Sequence, residues 1–178
     1  MSYMDDEHKN RIKRINEYWK KLEELSEYAM EYGINDIFQD NEAKTLQQLI
    51  YLNFTNLDGR EGNDGLDENE TEWEMKSINT LTSASGFSTN HHLNLDIIAK
   101  YRKVPWSFSF YEGIKLNEIY VLSQKNLEPI YQKWENRFNT ESITHLNNPK
   151  ISIKFIRENG TLVYSNNSDV VFNPADVY

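Results

Sequence analysis

Residues 104–111 and 114–121 are two β-prone runs separated only by Glu112-Gly113, a tight-turn dipeptide. A connection that short makes them an antiparallel hairpin. The segments on either side keep a different period. Ile12, Ile15, Trp19, Leu22 and Ala29 recur at three- and four-residue steps among charged residues, which predicts a helix over 9–32 that Gly33 stops. That stripe can pack on its own domain, or its near-heptad spacing can pair it with a second copy of the chain. Leu46, Leu49 and Ile50 share one face of a shorter helix over 42–52. Leu127, Ile130, Tyr131, Trp134 and Phe138 keep helical spacing after the hairpin, with Pro129 tolerable only near the start of that helix. Residues 71–78 alternate, which puts Glu72, Glu74 and Lys76 on one side of a strand and Trp73 and Met75 on the other. A last strand pair is read at 151–156 and 161–164 around Asn159-Gly160, followed by a polar, loose tail over 165–178. Mixed periods in 178 residues predict one α/β domain, against a prior of about 150 residues per domain.

Composition removes several classes of chemistry. With no cysteine there is no disulfide, thiolate metal ligand or cysteine nucleophile, so any metal must sit on oxygen or imidazole. The start, Met1-Ser2-Tyr3-Met4-Asp5-Asp6-Glu7, is too acidic for a signal peptide, and no run of about 18 apolar residues exists. The expectation is a soluble, cytoplasmic protein. No G-x-S-x-G or H-E-x-x-H occurs, which disfavours serine hydrolases and zinc peptidases. Neither Asp58 nor Asn63 starts an EF-hand calcium loop.

Charge is informative by segment. The net charge of −9 alone argues against a polyanionic partner. Seven acids and no base lie in 61–74, so this stretch supplies most of the excess, whereas 76–125 holds six bases against three acids. Such an acid run is either a solvated loop or the seat of a divalent cation.

Within that run Asp64, Glu74 and Lys76 form the pattern Asp, nine residues, Glu, one residue, Lys, with the last two on one strand face. Two carboxylates are hard oxygen ligands for Mg²⁺, which lowers the pKa of a bound water. A lysine ammonium can orient that water or neutralise charge growing on a phosphate. The pattern therefore suits metal-assisted phosphodiester hydrolysis, with Glu61 able to tune a water or a second ion. The alternative is a hairpin with a charged outer face. Two polar clusters, Gly86-Phe87-Ser88-Thr89-Asn90-His91-His92 and Leu146-Asn147-Asn148-Pro149-Lys150, read as loops. Asn and Ser satisfy local backbone groups in turns, but Asn amides and His N–H groups are also the donors and acceptors that read adenine and guanine edges.

Beyond these patterns, several strings occur in a characteristic order over 18–164. They are Gly33-Ile34-Asn35-Asp36-Ile37-Phe38-Gln39-Asp40-Asn41, Gly59-Arg60-Glu61-Gly62-Asn63-Asp64, Glu74-Met75-Lys76-Ser77-Ile78-Asn79, Gly86-Phe87-Ser88-Thr89, His91-His92, Ile97-Ile98-Ala99-Lys100-Tyr101-Arg102, Val104-Pro105-Trp106, Lys133-Trp134-Glu135 and Asn147-Asn148-Pro149-Lys150-Ile151. Together they resemble the PvuII-type family of type II restriction endonucleases within the PD-(D/E)xK nuclease superfamily. The resemblance implies a restriction-endonuclease-like α/β fold, a central mixed sheet flanked by helices, with 9–32 as an N-terminal dimerisation helix. Residues 33–164 would be the catalytic and DNA-recognition region of a single domain over 1–164, with 165–178 as tail. It implies a homodimer that cuts both strands of duplex DNA at the centre of a palindromic six-base site, CAGCTG, with Mg²⁺, leaving blunt ends; Ca²⁺ would support binding without cleavage. A cognate DNA methyltransferase in a prokaryotic host is the implied functional partner, and no membrane is involved. Position by position, the resemblance makes Asp64, Glu74 and the Met75 backbone carbonyl the metal ligands, Lys76 the catalytic lysine, and Glu61 and Tyr101 active-site auxiliaries. Asp40, Ser88, His91, His92, Asn147 and Asn148 become the DNA-recognition residues. Asn90 departs from the pattern, standing where the family has a third consecutive histidine, and one extra residue precedes Gly86. Two other classes of reading remain: a DNA-binding module without cleavage, and an acidic protein-interaction domain built on the 9–32 helix.

Overall fold

Gly33 ends the first helix as its position predicts. α1 (Asp6–Met30) closes when the Gly33 N–H reaches the Met30 carbonyl at 3.1 Å and the Ile34 N–H reaches that of Ala29, also at 3.1 Å. Gly33 takes φ 73°, where a Cβ would be strained, and Ile34 and Ala29 are both buried. These details come from a computed structural model that describes residues 6–57 and 63–168, with side chains from residue 10 onward. The chain falls into two compact units, Met1–Leu46 and Gln47–Tyr178. In the first, Trp19 stacks on Phe38 with ring centroids 5.9 Å apart. Ile15, Tyr18, Trp19, Tyr28 and Met30 nevertheless stay exposed along α1. α2 (Glu42–Leu52) matches its expected span and carries the chain from the first unit into the second.

The second unit is a mixed sheet with helices. Its elements in order are β1 (Thr55–Asn56), β2 (Gly65–Leu66), β3 (Glu72–Asn79), β4 (Gly86–Ser88), α3 (Leu95–Tyr101), β5 (Trp106–Glu112), β6 (Lys115–Leu122), α4 (Gln124–Glu141), β7 (Lys150–Ser152), α5 (Ile153–Asn159) and β8 (Thr161–Ser165). Six strands make one sheet in the order β1-β2-β3-β5-β6-β8, and β4 pairs with β7 apart from it. β5 and β6 form the expected hairpin, with Gly113 in the left-handed region at φ 64°. β3 runs parallel to β5, which requires the long crossover that β4 and α3 supply. β5 is buried on both faces: Trp106, Phe108 and Phe110 enter the main core with Ile98, Leu127, Tyr131 and Ile156. On its other face Ser109 donates to Gln48 Oε1 at 2.8 Å.

Four expectations are corrected. Residues 151–156 and 161–164 are not a strand pair: 153–159 is a helix, and β8 pairs with β6 instead. Alternation of Ile151, Ile153 and Phe155 mimics a strand, but Ser152 caps the Phe155 N–H and Ile156 is buried at helical spacing. The first polar cluster is not wholly a loop, because Gly86–Ser88 is β4, where a Cβ on Gly86 would lie 2.5 Å from the Ile151 carbonyl oxygen. α4 begins five residues before Pro129, its start secured by a Ser123–Asn126 capping box, so the Lys125 carbonyl has no N–H to accept at the usual spacing. The tail expected to be loose is held at its beginning, since the Asn166 N–H and amide bond Asn117 at 2.9 and 2.8 Å; 169–178 lie outside the described residues.

Candidate active site

Alternation along β3 sets the site. Glu72, Glu74 and Lys76 share one face and line a cleft of about 690 Å³ with Asn63, Asp64, Thr89, Asn90, Lys100, Tyr101 and Lys103. Trp73 and Met75 are buried. Asp64 reaches the same cleft because its N–H donates to the Trp73 carbonyl at 2.8 Å and its Oδ2 accepts the Met75 N–H at 2.7 Å. The Lys76 ammonium lies 2.5 Å from Glu74 Oε1 and 5.8 Å from the centre of the Trp106 ring. Three residues distant by ten and two positions in sequence thus meet through one strand pairing and one turn.

The electrostatics follow from burial. Desolvation pushes the Glu74 carboxyl up to about 7; the Lys76 ammonium opposes the shift and Asp64 adds to it. Burial likewise raises Asp64 above the ordinary carboxylate range, against the pull of Lys76 and the Met75 N–H. For Lys76, desolvation acts downward, but the Glu74, Asp64 and Tyr101 groups outweigh it and the ammonium is held more firmly than usual. Burial pushes the Tyr101 phenol up to about 12, so it keeps its proton at neutral pH. Two carboxylates that each resist ionisation, with the Lys76 ammonium beside them, form a site that favours added positive charge. Their oxygens are the hard donors a divalent magnesium ion takes, and the two-carboxylate count suits an ion that retains waters. The donor set therefore fits Mg²⁺. Among the described residues no group of three or more His, Cys, Asp or Glu is arranged as a metal cage.

Not every acid of the run is part of this. Asp67 accepts from the Asn69 and Thr71 N–H groups and the Trp73 indole at 2.8, 2.9 and 3.0 Å, so it builds the turn before β3. Glu61 lies outside the described residues. The expected recognition residues divide between the units. Asp40 is exposed in the first, at φ 43°. Ser88, His91, His92, Asn147 and Asn148 come together in the second. Thr89 N–H donates to Asn148 Oδ1 at 3.1 Å and its hydroxyl to the Pro149 carbonyl at 2.7 Å. Leu93 and Leu146 exchange both backbone bonds, and the His92 and His145 rings lie 5.3 Å apart. The two polar clusters are one paired unit.

Sequence reasoning named Tyr101 but missed α3, which carries it, and the Lys100 and Lys103 side chains beside it. Asn94 caps the Ile97 N–H, and Ile98 and Tyr101 are buried three residues apart; cap and spacing together were the available signal. Arg102, at its end, forks onto Glu135 (2.8 and 2.8 Å) and Glu128 (2.9 and 3.3 Å) of α4 and covers the Tyr131 ring. The Tyr131 hydroxyl donates to the Tyr101 carbonyl at 3.1 Å. This clamp leaves Lys100 and Lys103 on the cleft wall, where neither side chain forms an ion pair among the described residues. No helix among the described residues is long and apolar enough to cross a membrane. Compared with known protein families, the chain matches the model described as restriction endonuclease PvuII over residues 10–164.

Proposed function

The chain belongs to the restriction endonuclease PvuII family and is a type II site-specific deoxyribonuclease; from that premise we propose that Asp64, Glu74 and Lys76 are its cutting centre. The reading is of a homodimer that needs Mg²⁺ and hydrolyses both strands of CAGCTG at the centre, leaving blunt ends. The observation that carries it is the convergence of two hard-to-ionise carboxylates and a lysine in one cleft. Asp64, Glu74 and the Met75 carbonyl would hold the ion, whose chemistry is to acidify a water and offset phosphate charge. Lys76, already fixed beside Glu74, supplies an ammonium to the phosphate oxygens as negative charge accumulates on them. Tyr101 remains a neutral hydroxyl donor at the rim, and Glu61 an auxiliary. Ser88, His91, His92, Asn147 and Asn148 read base edges from the paired loops, and Asp40 is a further DNA-recognition residue.

α1 is the proposed dimerisation element, since its exposed Ile15, Tyr18, Trp19 and Tyr28 form the kind of apolar stripe a second copy would cover. In this reading 9–32 dimerises, 33–164 cuts and recognises, and 165–178 is an appendage. A cytoplasmic enzyme of a prokaryote, paired with a methyltransferase protecting the same site, completes it.

The test is incubation with a plasmid carrying one CAGCTG in Mg²⁺, and separately in Ca²⁺, with sequencing of the ends. Blunt ends at the centre of that site in Mg²⁺ alone are expected, with binding retained in Ca²⁺. Cuts elsewhere would overturn the recognition assignment. An intact plasmid that still binds in Ca²⁺ would favour a binding module over the cutting centre.

A further inference from the structure

β2 is only two residues long, and its pairing with β3, Gly65 opposite Trp73 and Leu66 opposite Glu72, stops at the residue after Asp64. From there individual bonds hold the chain to β3. The Asp64 N–H donates to the Trp73 carbonyl at 2.8 Å, and its Oδ2 accepts the Met75 N–H at 2.7 Å. Asn63 adds a further tie through its side chain. Its Nδ2 donates to Glu72 Oε2 at 2.6 Å, joining positions nine apart in the chain. An amide donating to a carboxylate is a charge-assisted bond, stronger than one between neutral groups.

Both side chains line the cleft that holds Asp64, Glu74 and Lys76. Glu72 shares the β3 face of Glu74 and Lys76, yet its surroundings differ. Glu74 is buried, whereas Glu72 is exposed at the start of the strand. Water already solvates an exposed carboxylate, so Glu72 does not need an ion to offset burial. Its bond to the residue that precedes Asp64 is what connects it to the site.

We propose that Asn63 and Glu72 are positioning residues: their side-chain bond clasps the chain entering Asp64 to β3, so that the Asp64 carboxylate stands ready beside Glu74 before a Mg²⁺ ion arrives. The inference rests on the nuclease reading above. It gives Glu72 a role through Asn63 rather than on the ion or its waters.

The experiment measures Mg²⁺ binding to the DNA-free protein by calorimetry, beside single-turnover cleavage as a function of Mg²⁺ concentration. The proteins are wild type, Asn63→Ala, Glu72→Ala, the double alanine variant and Glu72→Gln. Each alanine variant should weaken Mg²⁺ binding and raise the concentration for half-maximal cleavage by about tenfold, the low end for groups that orient metal ligands because this bond is exposed. The rate at saturating Mg²⁺ should stay within about threefold of wild type, since the clasp prepares the ligand and takes no part in the chemistry. The double alanine variant should bind no more weakly than the weaker single one, because the same bond is lost. Losses that multiply overturn the proposal. Glu72→Gln separates the clasp from the charge: its carbonyl oxygen still accepts from Asn63, but the negative charge is gone. Binding within about threefold of wild type is expected of it. A loss as large as that of Glu72→Ala would overturn the proposal by showing that Glu72 acts on the ion through its charge.

Asn63→Asp sets two carboxylates face to face and should lose as much as Asn63→Ala. Combining it with Glu72→Gln supplies an amide donor from the other side and should recover Mg²⁺ binding, a decision that holds even if an alanine variant does not fold. No recovery in that pair counts against the clasp. A wild-type protein that neither binds Mg²⁺ nor cuts DNA would remove this inference together with the nuclease reading. A wild-type enzyme that does both, with alanine variants that match it, removes the inference alone.

Discussion

Glu74 shows how one residue's surroundings set its chemistry. Burial lifts its carboxyl from an ordinary 4.5 to about 7. Between those values the unfolded chain has released the proton and the folded chain keeps it, so metal-free stability falls as pH rises through that window and is flat in this group on either side. A magnesium ion competes with the same proton, so its affinity should climb as pH passes through 7. Titration with Mg²⁺ at about pH 6 and about pH 8 checks this, and Glu74→Gln should remove the dependence. Lys76→Ala should lower cleavage by at least about 100-fold while DNA still binds in Ca²⁺, and an active variant would end the mechanism. The pattern of Asp64, Glu74 and Lys76 was readable from spacing because alternation along a strand depends only on the backbone. The place of Asn90 was not: nothing in a linear string indicates that it lines the same cleft as Tyr101.

Among the elements, α3 is short and depends on its neighbours. Seven residues do not sustain a helix in water, so the Asn94 cap and the Arg102 fork hold it. Arg102→Ala should cost about 2 kcal/mol, on the scale of hydrogen bonds to charged groups, and urea unfolding would measure it. The clamp is part-exposed, which argues against a larger figure. α1 poses the opposite case, a long helix whose apolar stripe remains uncovered. Ile15→Asp places a charge in that stripe and should shift the protein toward monomer in sedimentation, with nicked plasmid accumulating in place of linear product. An unchanged sedimentation coefficient would move the dimer contact elsewhere. α1 and the β5–β6 hairpin were recognisable because their signals are local, a period and a turn. α5 was misread because an apolar triplet at alternate positions suits a strand until a cap and a buried partner decide otherwise.

For the whole molecule the question is how a chain of net charge −9 binds DNA. The acids concentrate in 61–74, while Lys100 and Lys103 line the cleft without an acid partner among the described residues. Each lysine that meets a phosphate releases condensed counterions, so removing both should flatten the salt dependence of Ca²⁺-supported binding by about 0.9 per lysine contact. Lys115→Ala, at the far end of the hairpin, should leave the slope unchanged. Equal slopes for all variants would show that these lysines face solvent in the complex.

Backbone periodicity, turn dipeptides and the order of motifs are properties of neighbouring residues, and through them the sequence alone determined α1, α2, α4, the hairpin, the candidate triplet of Asp64, Glu74 and Lys76, and the family. The partnership of β8 with β6, the pairing of β4 with β7, the depth at which Glu74 lies and the placing of Asn90 and Tyr101 on one cleft were decided only in three dimensions. Each depends on contacts between residues far apart in the chain, and on how much water those contacts exclude.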